Sequence, residues 1–238
     1  MDQFFFIVWT GLIAGIVHVY TGADHLAALL PISVGRRSKA AWLGARWGVG
    51  HSFGVLIVAL VLLAARNTIN FTTVGAWSEH LVGIMLIVFG IFAFRMACSD
   101  KFHLHEHAHG GKVHSHLHVH GRNHGHAPDI TPARMHLHMH AALGAGTLHG
   151  VGGMAHLMGV LPSLAFATLY ESFLYLAAFA AGSILAMAGF AAAIGTVTAR
   201  LGAFAPRFIK SSMYLAATAC FLVGVAWLAA PVLGYELP

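Results

Sequence analysis

One stretch occurs twice. Residues Gly15–Pro31, GIVHVYTGADHLAALLP, return without a gap 131 positions later as Gly146–Pro162, GTLHGVGGMAHLMGVLP. His18 falls on His149, Gly22 on Gly153, His25 on His156 and Pro31 on Pro162. Asp24 falls on Ala155, so the second copy lacks the carboxylate. A repeat of this kind sets architecture before any local reading. Each copy also lies within an apolar run of membrane-crossing length, where ionisable side chains are costly and mark function by default.

The rest of the chain is apolar enough to make that argument apply. Of its 238 residues 58% are hydrophobic and 9% charged, against about 25% charged in soluble domains. In a bilayer only helices and closed barrels satisfy the backbone. The runs here are far longer than the roughly ten-residue alternating segments of a barrel, so the expected class is all-α. Six spans are expected, near 5–31, 41–65, 77–95, 140–161, 172–196 and 210–230, with Pro31 closing the first. They form two three-helix repeats, 1–99 and 140–238, around a loop at 100–139. The first span is long for one crossing, so tilt or a break is expected, with Gly22 and Gly153 as the break points. Residues 163–171 are expected to connect the fourth and fifth spans.

Charge orients the spans. With the loop after span one inside, twelve of the thirteen Lys and Arg residues lie inside and only Arg66 outside. Both termini are then outside a cell inner (cytoplasmic) membrane and the 100–139 loop is cytoplasmic. An odd number of spans per repeat inverts the second copy. Secondary transporters use that plan, with the site near midplane between the repeats. The net charge of +5 is thus topological, and no nucleic-acid partner is expected. Residues 1–10 lack a basic leader, so no cleavable signal peptide is expected. Cys98 and Cys220 form no CxxC pair and read as small buried apolar residues.

The candidate metal ligands are His18, Asp24, His25, His51, His149 and His156. His18 and His25 are seven apart, about 10 Å along an unbroken helix. They share one ion only if the helix breaks; otherwise they are successive stations. Asp24 is the one acid deep in the first span and suits either ligation or the orienting of a ligating imidazole. Imidazole with carboxylate suits Ni²⁺, Co²⁺ or Zn²⁺ and disfavours Mg²⁺ or Ca²⁺. His51, in Gly50-His51-Ser52, falls on Gly182 at the repeat offset. Glu79, His80 and Glu171 sit at outer span ends, interfacial or an entrance for cations.

Thirteen of the nineteen histidines lie in 100–140. The auxiliary metal-binding loop comprises His103, His105, His107, His109, His114, His116, His118, His120, His124 and His126. With no apolar face to bury, the alternation is not expected to make a strand.

The segment His18–Pro31, above all Thr21–Leu29, together with Trp47-Gly48-Val49-Gly50-His51-Ser52, resembles the nickel/cobalt permease superfamily, and within it the urease-associated nickel permeases. The resemblance implies divalent-metal transport with the His/Asp helix as selectivity site, carried here by His18, Asp24, His25 and His51. The expected function is transport of Ni²⁺ and/or Co²⁺, with Zn²⁺ a further substrate, and no enzymatic activity or bound cofactor. Expected partners are the metal ion, the bilayer and a cytoplasmic metallochaperone or metalloenzyme-assembly protein. The rival readings are an intramembrane His-ligated metalloenzyme and a metal exporter or sensor working through the His-rich loop.

Overall fold

The computed structural model describes residues 2–37, 39–65, 71–98, 102–109, 112–119, 132–152, 159–204 and 206–233, with backbone alone at 62–65, 71–79, 102–109, 112–119, 132–139 and a few end positions. The chain forms helix α1 (Asp2–Thr21), half-helix α2 (Ala23–Ser33), α3 (Ala40–Ala65), α4 (Phe71–Cys98), strands β1 (Phe102–His109) and β2 (Lys112–Val119), α5 (Pro132–Val151), a 3₁₀ turn (Leu161–Ala165), α6 (Leu169–Phe204) and α7 (Pro206–Val232). Among the described residues five helices are long and apolar enough to cross a membrane: Gln3–Thr21, Ala40–Val61, His80–Cys98, Leu169–Ala203 and Arg207–Ala230. The protein is an all-helical, multi-pass membrane protein in its apolar part. The five correspond to expected spans one, two, three, five and six. At the fourth position α5 stops at Val151, and 153–158, including Gly153 and His156, lie outside the described residues.

Three local expectations are corrected. α2 does not end at Pro31 but runs through it to Ser33; the ring removes one donor and the helix still closes with Val34 N–H on the Leu30 carbonyl, 3.2 Å. Residues 169–171 are helical, because Thr168 and Glu171 form a reciprocal cap: the Thr168 N–H donates to Glu171 Oε2 and the Glu171 N–H to Thr168 Oγ1, both 3.2 Å. The His-rich tract does form strands. β1 and β2 pair antiparallel with His103 opposite His118, His105 opposite His116 and His107 opposite His114. The alternate positions bring Phe102 to Val119, Leu104 to Leu117, Glu106 to Ser115 and Ala108 to Val113. Three of these four pairs join apolar residue types, a pattern that only the pairing register reveals.

Bulk faces outward. Phe92 (65% exposed) and Leu215 (73%) stand on the outer faces, as a hydrocarbon surrounding allows. Small residues line the helix crossings. α1 packs on α6, α6 on α3 and α3 on α5, while α4 packs on α7 and α2 leans on α6 and α7. A Cβ on Gly15 would overlap the Phe179 carbonyl and press on Ser183 N; a Cβ on Gly146 would overlap the Trp47 carbonyl and press on His51 N. Gly182 meets Leu12 and Ile16 as Gly50 meets Leu143 and Thr147. Gly90 meets Ala217 and Phe221 as Gly224 meets Gly83 and Ile87. The crossings therefore come in reciprocal pairs. In this contact register Gly50 corresponds to Gly182, and His51 corresponds to Ser183 rather than to Gly182.

Candidate metal centre

The centre is made by an interruption. α1 ends at Thr21, Gly22 is extended (φ −79°, ψ 103°) and α2 begins at Ala23. The Gly22 N–H still donates to the His18 carbonyl, 3.1 Å, and the Leu26 N–H to the Gly22 carbonyl, 3.3 Å. Between them the His25 N–H turns to Asp24 Oδ1, 2.9 Å. A carboxylate in the first turn satisfies an otherwise orphaned donor and opposes the positive end of the half-helix. Glycine is required at the break for space. A Cβ there would overlap His25 Nδ1 and lie 2.9 Å from Asp24 Oδ1.

The break folds His25 back onto His18. Their ring centroids are 4.6 Å apart at 80°. The contact puts both imidazoles in one cluster, as the broken-helix alternative requires. His51 enters from α3, its ring 4.8 Å from His25 and 5.6 Å from His18. His149 enters from the last turn of α5, 4.7 Å from His25 and 5.5 Å from His51. It can do so because α3 and α5 touch backbone to backbone at Gly150, where a Cβ would overlap the His51 carbonyl. His25, His51 and His149 are wholly buried, and His18 and Asp24 nearly so.

Asp24 joins the two halves of the chain. Oδ1 accepts from His25 Nδ1 at 2.8 Å and Oδ2 from His149 Nε2 at 3.1 Å. An ionised carboxylate only accepts, so it fixes the proton of His25 on Nδ1 and that of His149 on Nε2. His25 Nε2 and His149 Nδ1 then carry the lone pairs, the form in which imidazole binds metal. Two groups of residues are placed to hold a metal ion. One ring nitrogen each from His18, His25 and His51 lie within 4.8 Å of one another, and so do atoms of Asp24, His25 and His149. His25 belongs to both. His18 and His149 also occupy the last turns of α1 and α5, so the negative ends of two helices converge here and favour a cation.

The remaining candidates fall elsewhere. His156 lies outside the described residues, as does the Glu79 side chain. His80 is half-buried on α4 and joins no metal-capable group among the described residues. The Glu171 carboxylate is engaged by its cap and by Gln3 Nε2, 2.7 Å. β1 and β2 carry seven of the ten histidines of the auxiliary loop, and His120, His124 and His126 lie outside the described residues. Two neighbours had no role at the site assigned from sequence. Phe179 packs 5.3 Å from the His18 ring and Trp47 6.0 Å from the His149 ring. The first sits in an unbroken apolar run that gives no signal. The second opens the Trp47–Ser52 motif that carries the resemblance.

Fold and site together define a multi-pass helical membrane protein with a buried intramembrane His/Asp centre fit for a divalent metal. Among known proteins the chain is 28% identical over 230 residues to chloroplast protein FOR GROWTH AND FERTILITY 1 of Arabidopsis thaliana, covering 96% of this chain and 60% of that protein. It is 29% identical over 230 residues to FOR GROWTH AND FERTILITY 2, covering 96% and 58%. It thus spans about three-fifths of the length of these two. It is also 29% identical over 204 residues to the urease accessory protein UreH of Bacillus sp. (strain TB-90), covering 82% and 79%. The kinship to a urease accessory protein is distant. No family model matches, and no solved structure matches.

Proposed function

We propose that the protein carries divalent transition-metal cations, Ni²⁺ or Co²⁺ with Zn²⁺ as a further substrate, across the membrane, acting as a carrier and not as an enzyme. The observation that carries this reading is the Gly22 break, which gathers His18, His25 and His51 into one buried ligand group. An entering ion sheds water onto these imidazoles. It is then shared through His25 with Asp24 and His149, and Asp24 offsets part of its charge. The likeness of the Thr21–Leu29 stretch to nickel/cobalt permeases supports the choice of metal. A relative named as a urease accessory protein fits delivery of metal to an enzyme-assembly partner or metallochaperone.

The reciprocal helix crossings support six spans in two inverted three-helix repeats, with α5 and the segment after it as the counterpart of α1 and α2. On the charge distribution both termini face outward from the inner membrane and the His-rich hairpin faces the cytoplasm, where it collects metal. A dipositive ion moving inward gains about 4.6 kcal/mol per 100 mV of membrane potential, which suffices to drive uptake. The test is metal flux into sealed proteoliposomes of known orientation, across Ni²⁺, Co²⁺, Zn²⁺ and Mn²⁺, with His25→Ala alongside. Flux of Ni²⁺ or Co²⁺ that the substitution abolishes is expected. Equal flux from the variant, or metal-dependent turnover without flux, overturns the reading.

A further inference from the structure

On the outer face, the seam between α4 and α7 opens into a groove of about 390 Å³, within the roughly 300–1,000 Å³ usual for ligand sites. Its floor is where the two backbones touch, at Gly90 and Ala217. Its walls are Phe94 and Phe221, 48% and 39% exposed. Phe94 is braced edge-on by Tyr214, 5.3 Å between centroids, and the Tyr214 hydroxyl donates to the Ala97 carbonyl, 3.3 Å. Two polar side chains share the lining, Arg95 and Thr218, and both are exposed. Among the described residues no carboxylate lies within ion-pair distance of Arg95.

Arg95 lies in the last turn of α4. Because α4 and α7 run antiparallel, with Gly83 against Leu228 and Gly90 against Ala217, Arg207 and Lys210 near the start of α7 lie toward the same end. The groove is thus apolar along its length and cationic at the end where basic residues gather. A second outer groove, between α3 and α6, is lined by Phe53, Phe173 and Ile184 with Ser52 as a polar member, and includes no charged residue. Shape alone therefore does not account for a guanidinium in the first. A planar guanidinium suits a phosphate diester, which it contacts through two parallel N–H bonds. Basic pockets between membrane helices bind anionic headgroups on this principle.

We propose that the α4–α7 groove binds one anionic phospholipid, with the headgroup phosphate on Arg95 and Thr218 and an acyl chain over Gly90 and Ala217 between Phe94 and Phe221. This site is separate from the metal centre and stands whether or not the metal reading does. The full chain is reconstituted in nanodiscs of equal phosphatidylglycerol and phosphatidylcholine, and retained lipid is counted by native mass spectrometry. The native chain is expected to keep one phosphatidylglycerol per protein at a preference of about fivefold or more over phosphatidylcholine. Arg95→Gln brings the ratio near one, and Thr218→Trp, which fills the groove, removes the retained lipid. Arg200→Gln, a basic residue outside the groove, leaves both unchanged. A size-exclusion profile and a thermal melt of the same samples show that the fold persists. Undiminished preference in Arg95→Gln, or an equal loss in Arg200→Gln through diffuse attraction to basic loops, overturns the proposal.

Discussion

The His18 and His25 rings meet at 4.6 Å, nearly perpendicular, although seven residues separate them in sequence. On a continuous helix they would be about 10 Å apart along the axis. The extended Gly22 is what closes that gap. Gly22→Ala should therefore injure the centre first. Its methyl group would collide with the His25 ring. We expect metal affinity to fall by about tenfold or more while the protein still purifies as a folded species. Isothermal titration with Ni²⁺ in detergent, beside a size-exclusion profile, checks this.

Asp24 is expected to act through the imidazoles it holds. Asp24→Asn keeps the shape but can accept with one oxygen only, so one of His25 and His149 loses its fixed orientation. A loss of about 10–100-fold in metal affinity is expected, with a change in metal preference. Asp24→Ala leaves two buried ring N–H groups to find other acceptors, at about 1–3 kcal/mol each. It should also lower the thermal midpoint, read by a fluorescence-detected melt.

His25 is shared by both ligand groups and each of the others belongs to one. His25→Ala should abolish binding. His51→Ala and His149→Ala should each leave one group standing and weaken binding by roughly tenfold. Equal effects from all three substitutions would show that a single site uses every residue at once.

The helix crossings leave no room for growth. Gly150→Val would drive a side chain into the His51 carbonyl. Overpacking of this kind costs about 1–3 kcal/mol, and here it also separates α3 from α5. Lower thermal stability together with weakened metal binding is expected, whereas Gly144→Ala, which meets open space, should be silent in both assays.

Removal of 102–119 should spare the intramembrane centre, so flux persists while the bulk metal capacity of the protein drops. That capacity is pH-dependent with a definite sign. An imidazole binds metal only when neutral, and its ordinary pKa is about 6.5. Binding to the tract should be full above that value and fall away as pH is lowered through it. Equilibrium dialysis of the native and shortened chains across pH 5 to 8 reads the difference.

Much of the centre was legible because a carboxylate and imidazoles are costly inside apolar runs and stand out against them. His18, Asp24, His25, His51 and His149 were all visible in this way, and matched glycines pointed to the break. The tie between Asp24 and His149 was not, since it joins residues 125 apart through a crossing that depends on Gly146 and Gly150. Nor was the correspondence of His51 with Ser183. Sequence offset puts it one residue away, and only the backbone contacts of Gly50 and Gly182 set the register. The hairpin was hidden for a related reason: a single strand of alternating histidines shows its apolar partners only after pairing. Pro31 misleads because a missing N–H reads as a helix stop, whereas here the half-helix packs against α6 and α7 and continues through it.

The helices of the first half find their main neighbours in the second: α1 on α6, α3 on α5 and α4 on α7. The main packing faces of each half are completed by the other. A nascent chain that has emerged only as far as Cys98 holds helices whose glycine-lined faces have nothing to close upon. Severed halves are therefore expected to regain metal binding only when produced together in the same membrane.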